Sequence, residues 1–320
     1  MTQTQTGKAF EYAILQEFNE KLNNITNVKI VQNDALATAK KYFNQFDKQT
    51  QGRYLLTASF AVNFLMDIEP RLKHDIGKKD ILQLEILTDY QGQLGDVRDV
   101  VAIRKLQEWE IGVSAKNNHK AIKHSRLSNK IDFGEKWLGI QCSQMYFDEI
   151  GLIFDPLKAI KNNSNSTQKW DTLNNKEDNI YIPILKAFKK ELNRIYTTDP
   201  KKVACNLVKY LVGSKDFYKV IKGNNEVEIQ AYNLHGSLNC PFEKILPKFK
   251  TPQINLPDKI ISIDFKKDSK TTLIVKLNNN WALSFRIHNA SSRVEPSLKF
   301  DINLLKAPSS LFTNTLSLPQ

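Results

Sequence analysis

A chain of 320 residues, 41% hydrophobic and 25% charged, is long enough for one large or two ordinary domains and too rich in apolar residues for disorder. Its 46 Lys and Arg against 34 Asp and Glu give a formal charge of +12, which favours a polyanionic partner over a small acidic metabolite; a Lys- and Asn-rich composition alone accounts for part of that excess. Three scattered cysteines (Cys142, Cys205, Cys240) argue against a disulfide framework or zinc cluster, no run approaches the ~18 apolar residues of a membrane helix, and "MTQTQTGKAFEYA" lacks a secretory apolar segment, so a reducing cytoplasm is expected.

Residues 7–23 read as a helix, because Phe10, Ile14, Phe18 and Leu22 recur at fourfold spacing. A helical insertion is expected over about 34–90, in "DALATAKKYFNQF", "YLLTASFAVNFLMDI" and "KKDILQLEILTDY". Two strand-like runs follow, "VRDVVAI" and "EIGVSAK", then a basic stretch, "NNHKAIKHSRLSNK", read as a helix with a weak apolar stripe. Residues 161–179 form the most polar run and suit a loop or linker. Helices are expected in "YIPILKAFKKELNRIY" and "DPKKVACNLVKYLVG", and strands in "KIISIDF", "TTLIVKL", "WALSFRIH" and "SLKFDINLL". The organisation expected is a catalytic core over 1–160, the polar segment 161–179, and a helical then β-rich region over 180–320 packed on the core.

The chemistry centres on the two early strands. Alternation puts Ile111, Val113 and Ala115 on one face of "EIGVSAK" and Glu110, Gly112, Ser114 and Lys116 on the other. If Leu106 and Gln107 lie in a hairpin turn, Asp99 falls opposite Ser114 and diagonal to Lys116, where neighbours stand ~7–8 Å apart. A carboxylate and an ammonium on one spot suit metal-assisted phosphodiester hydrolysis. Asp99 would bind Mg²⁺ while Lys116 orients water and offsets charge in the transition state. The same spacing also suits an ordinary Asp and Lys on a surface hairpin.

Glu11 falls in the middle of the first helix's apolar stripe, where a carboxylate must be paired, protonated or metal-bound. A buried ion pair satisfies that requirement as well as a metal does. Glu110 and Glu85 are the reserve acids. In the basic stretch, Asn117, Asn118, His119, Lys120, Lys123, His124 and Arg126 are candidates for gripping a nucleic-acid backbone, or form a solvated basic face. Near the end, Trp281, Leu283, Phe285 and Ile287 alternate with Ser284, Arg286 and His288, followed by Asn289, Ser291, Ser292 and Arg293. Arg286, His288, Asn289, Arg293 and Lys299 are candidates for reading base edges, since Arg suits guanine and Asn suits adenine.

"GKAFEYA", "GDVRDVV", "WEIGVSAKNNHKAIKHSRLS" with "IDFGEKWLG", and "FRIHNASSRVEPSLKFDI" resemble, in that order, the HaeIII family of type II restriction endonucleases. The resemblance implies an α/β (α+β) fold with a restriction-endonuclease-like PD-(D/E)xK core and Mg²⁺-dependent cleavage of double-stranded DNA within GGCC to 5′-phosphate ends. It also implies a separately encoded methyltransferase that protects the host. In that family's terms Asp99 stands for the motif's Asp, Lys116 for its Lys, and Arg98 replaces its proline. Ser114 stands where many superfamily members carry the second acid, and Glu11 is the choice to replace that acid. A palindromic target favours a homodimer, and a monomer nicking each strand in turn satisfies it too. The competing readings are a structure-specific repair nuclease on the same core and a DNA-binding protein without catalysis.

Overall fold

The computed structural model describes residues 2–74, 80–88, 96–117, 121–163, 167–213 and 215–319. By internal contacts the chain forms two compact units: residues 1–120, 213–254 and 310–320, and residues 121–212 and 255–309. This division differs from the expected one. The chain leaves the first unit after the basic stretch begins and returns to it twice, because strands distant in sequence complete each sheet; the polar run 161–179 lies inside the second unit and separates nothing.

The first unit is built on a seven-stranded mixed sheet, in the order β1 (Val28–Ile30), β2 (Leu82–Ile86), β3 (Val100–Arg104), β4 (Trp109–Asn117), β6 (Phe217–Lys222), β7 (Glu226–Tyr232), β12 (Phe312–Ser317). The β1–β2 and β4–β6 pairs are parallel and the others antiparallel. Helices α1 (Gln3–Leu22), α2 (Asp34–Asn44) and α3 (Lys48–Ile68) pack on it. Capping explains where they start: Thr2 and Gln5 form a capping box at α1, Asn33 accepts from Leu36 N at α2, and Asp47 accepts from Thr50 N at α3. Phe10, Ile14 and Phe18 of α1, Ala58, Val62 and Leu65 of α3, and Leu84, Val100, Ile111 and Val113 of the sheet share one buried core. Arg104, fully buried, knits the strand ends to the chain around them. Its guanidinium bonds Asp80 at 2.6 Å and donates to the carbonyls of Arg71 and His74.

The expected α+β architecture with a mixed sheet and packed helices is present, with one correction in the insertion. "KKDILQLEILTDY" is not a helix: Leu82–Ile86 is strand β2, its Leu82, Leu84 and Ile86 buried and its Gln83 and Glu85 half-buried. Alternation with period two, not 3.6, was the signal in "LQLEI".

The second unit carries a five-stranded antiparallel sheet, in the order β5 (Ala121–Leu127), β11 (Leu298–Lys306), β10 (Ala282–Asn289), β9 (Thr272–Leu277), β8 (Ile260–Phe265). Three further helices of this unit are α4 (Gln144–Asn162), α5 (Ile182–Thr198) and α6 (Pro200–Val212). Phe188 of α5 meets Phe133, Trp137, Phe285 and Phe300 at centroid distances of 4.7–5.9 Å. The basic stretch, expected to be a helix, is no helix where it is described: Asn117 ends β4 and Ala121–Leu127 form strand β5. Strand β5 is drawn into the sheet by pairing with β11, a partner some 170 residues away that no local pattern reveals. No helix of the described residues is long and apolar enough to cross a membrane.

Candidate active site

The hairpin turn expected at Leu106 and Gln107 is there: residues Lys105–Gln107 form a short 3-10 turn, and Glu108 follows in the left-handed region at φ 48°. The β3–β4 register sets Val100 against Val113, which carries Asp99 opposite Ser114. The β3–β4 pairing ends at Asp99. Its backbone N–H donates to Val113 O at 2.8 Å, and its carboxylate takes over the next rung by accepting from Ala115 N at 2.7 Å. Strand β4 runs on beside β6, so Lys116 stays fixed in the sheet while β3 has ended.

At this point the charged groups meet. Lys116 Nζ lies 3.1 Å from Asp99 Oδ2, and Ser114 Oγ donates to the same oxygen at 3.3 Å. Oδ2 thus gathers three donors, none of which engages Oδ1. Both partners of the ion pair are partly exposed, so a substrate can reach them. Glu11 comes to this place from α1. It is buried, and its carboxyl is pushed up to about 7, first by desolvation and then by the negative charge of Asp99; Lys8, 3.2 Å away, and Lys116 pull it back. That Asp99 and Lys116 both act on Glu11 places all three in one electrostatic neighbourhood. Two carboxylates, hard oxygen donors each with one oxygen beside a lysine, suit a Mg²⁺ ion. Among the described residues no group of three or more His, Cys, Asp or Glu that could hold a metal converges, and Asp99 and Glu11 are the carboxylates here that could serve a cation.

The other sequence candidates scatter. Glu110 lies four residues along β4 from Ser114, the residue opposite Asp99, or ~13 Å at 3.3 Å per residue, and is paired with Arg98 Nη1 at 3.1 Å and Lys215 Nζ at 2.9 Å. That makes it a structural anion, away from Asp99. Glu85, on β2, accepts from Nδ2 of Asn33, the N-cap of α2. Asn117 turns to the helical side of its sheet and donates to Tyr54 Oη at 3.1 Å. Asn118, His119 and Lys120 lie outside the described residues. Lys123 points inward in the second unit, with Nζ on Tyr210 O at 2.7 Å and over the Tyr210 ring. Burial pulls its ammonium down to about 8, so it is not an outward phosphate contact. His124 and Arg126 lie on the open side of β5, on the same sheet as Arg286, His288 and Lys299. Asn289 folds its amide onto Ser291 O, and exposed Arg293 pairs through its backbone with Lys169.

The sequence reading missed Lys219, and it named Arg98 and Gly112 without seeing how they pack. Lys219, on β6 directly beside Ser114, is buried and its ammonium is pulled down to about 8 by desolvation and by Lys116, with Glu228 opposing. Period-two alternation in "FYKVIK" sets Lys219 on a face with Phe217 and Ile221, and only the β4–β6 register brings that face beside Ser114. Arg98 is clamped by Asp96 through Nε at 2.8 Å and Nη2 at 2.7 Å. Gly112 makes room for it, since a Cβ there would overlap Arg98 Cδ and stand 2.6 Å from its Cγ.

No solved structure matches this chain. The type II restriction enzyme HaeIII of Haemophilus aegyptius is 41% identical to it over 307 residues, 95% of either chain. The family model described as HaeIII restriction endonuclease matches residues 7–308, a span that contains Glu11, Asp99, Ser114, Lys116 and Lys219. With nearly the whole length matched at that identity, the chain belongs to the HaeIII restriction endonuclease family.

Proposed function

We propose that this protein cuts both strands of duplex DNA within GGCC, with Mg²⁺ held by Asp99 and Glu11, leaving 5′-phosphate and 3′-hydroxyl ends. The observation that supports this most directly is the convergence of Lys116 and Asp99 at 3.1 Å within the electrostatic reach of buried Glu11. Bound Mg²⁺ supplies Lewis-acid polarisation of the scissile phosphate and a lowered pKa for an attacking water.

The protein's own residues do the rest. Lys116 carries its charge on a rigid strand, where it orients the attacking water and offsets the negative charge that grows on phosphorus oxygens. Ala115 N and Ser114 Oγ hold Asp99 in place by hydrogen bonds to one oxygen, which leaves the other for a ligand. Ser114 occupies the position of a second acid without its charge, and Glu11 supplies that charge from the helix. A buried carboxyl near 7 gives up its proton more readily when a cation arrives, so metal capture and ionisation are coupled. A palindromic site is matched by a twofold homodimer, and a cell making such an enzyme needs a methyltransferase that protects its own sites.

The test is digestion of plasmid DNA of known sequence by the purified protein with Mg²⁺, followed by sequencing of the fragment ends. Cuts confined to GGCC are expected, and Asp99→Ala and Lys116→Ala should abolish them while binding in Ca²⁺ survives. Cutting without regard to sequence would point to a structure-specific nuclease, and intact DNA to a binding protein. Normal cutting by either variant would overturn the site.

A further inference from the structure

On the second unit's sheet, alternation sorts β5, β10 and β11 into two faces. Ser125, Leu127, Phe285, Ile287, Leu298, Phe300 and Ile302 are buried beneath it. The other face carries two polar rungs in register. Arg286, Asp301 and His124 stand side by side across β10, β11 and β5, and His288, Lys299 and Arg126 form the next rung. At ~4.8 Å between strands and ~6.7 Å between rungs, the six side chains span roughly 10 by 7 Å. That is close to the ~12 Å width of the DNA major groove.

Asp301 is the hub. Its Oδ2 accepts from Arg286 Nη2 at 2.6 Å, and its Oδ1 lies 2.7 Å from His124 Nδ1 and 3.3 Å from His288 Nε2. Arg286, His124 and Arg126 remain well exposed, with 61%, 40% and 55% of their side-chain surface open, whereas Asp301 is mostly covered. Glu295, near Arg126 at 3.5 Å, is the other acid at this edge. Partial burial tends to raise the Asp301 carboxyl, but the Arg286 hydrogen bond and the charges of His288 and His124 outweigh it and hold it at about 2, so it stays an anion that fixes its neighbours. The backing layer of aromatic residues keeps the strands rigid, which is what a reading surface needs.

We propose that this pair of rungs is a base-reading platform for guanine-containing duplex DNA, with Arg286 as the residue that contacts guanine and Asp301 as the positioning residue that holds Arg286, His124 and His288. An arginine fork matches guanine O6 and N7, and only Nη2 of Arg286 is committed to Asp301 in the bonds described, out of five guanidinium donors. The proposal rests on the reading of the protein as a DNA endonuclease and assigns its sequence discrimination to the second unit, whereas Asp99, Lys116 and Glu11 all belong to the first.

The experiment compares wild type with Arg286→Lys, Asp301→Asn and a control, Lys267→Ala in the β8–β9 turn. Binding in Ca²⁺ and cleavage in Mg²⁺ are measured on a GGCC duplex and on duplexes with one base pair changed. Arg286→Lys keeps the charge and removes the fork, and it should lower the preference for GGCC by about tenfold or more. Asp301→Asn should do the same while its thermal unfolding shows a folded protein; if it unfolds, Arg286→Lys decides alone. The control should match wild type. Unchanged discrimination in Arg286→Lys overturns the proposal. So does weakening on every duplex alike with a shallower salt dependence, the mark of a phosphate contact. If wild type cuts nothing, the catalytic reading fails, but the binding arm still decides: no preference for GGCC in Ca²⁺ overturns the platform as well.

Discussion

Replacing Glu11 by Gln removes a buried ionisation while nearly keeping its shape, and the metal-free protein should register this as a change in how stability depends on pH. Moving the carboxyl from 4.5 to about 7 corresponds, at about 1.4 kcal/mol per pH unit, to roughly 3 kcal/mol. The folded chain keeps this proton where the unfolded chain has lost it, so the contribution is fully present below pH 4.5, fades between 4.5 and 7, and is gone above about 7. Glu69, also buried and pushed up to about 7 by desolvation against hydrogen bonds from Tyr218 and Asn239, adds a decline of the same sign. It is common to both proteins and cancels in their difference. Urea unfolding in EDTA at pH 5, 6, 7 and 8 should therefore show Glu11→Gln gaining on wild type by up to ~3 kcal/mol from the acid end to the alkaline end. Adding Mg²⁺ at pH 8 should then raise wild-type stability more than that of the variant, because only wild type keeps both acids. Parallel stability curves for the two proteins would show that Glu11 does not titrate in this window, and the reasoning that joins it to Asp99 would fall.

Gly112→Ala should lower single-turnover cleavage by about tenfold or more, because the added methyl drives Arg98 from its clamp beside Asp99; an overpacking cost of ~1–3 kcal/mol accompanies it in unfolding experiments. Wild-type rates should carry that activity without the penalty, and an unchanged rate in the variant would separate Arg98 from catalysis. Lys219→Met should slow cleavage at pH 7 and flatten the wild-type fall in rate above about pH 8, where burial and Lys116 bring the ammonium to its titration point. A pH–rate profile identical to wild type would remove Lys219 from the site's electrostatics. Arg104→Met leaves Asp80 charged and buried and should cost ~3–5 kcal/mol in denaturant unfolding, with much of it restored by Asp80→Leu in the same chain. Failure of the second change to restore stability would mean that the loss lies in the Arg71 and His74 carbonyls instead.

Local pattern carried a good part of this molecule. The fourfold spacing in α1 placed Glu11 among buried residues, and the hairpin arithmetic of β3 and β4 set Asp99 opposite Ser114, as the register shows. Alternation in "WALSFRIH" put Phe285 and Ile287 under the sheet and Arg286 and His288 above it. Each of these depends on a period within one segment, and a period survives folding because it is a property of the chain's own geometry.

What remained hidden depends on partners distant in sequence. Period alone did not tell that 121–127 would be a strand, since β11 supplies the hydrogen bonds that make it one. Nor could it tell that Glu110 is occupied by Arg98 and Lys215, that Lys123 turns inward to Tyr210, or that Lys219 stands beside Ser114. The sequence by itself determined which residues share a face and which charges the chain carries. Only the tertiary structure decided which faces meet, because sheet order and strand pairing bring together residues between which no local period runs, and the energy of a buried charge depends on those neighbours.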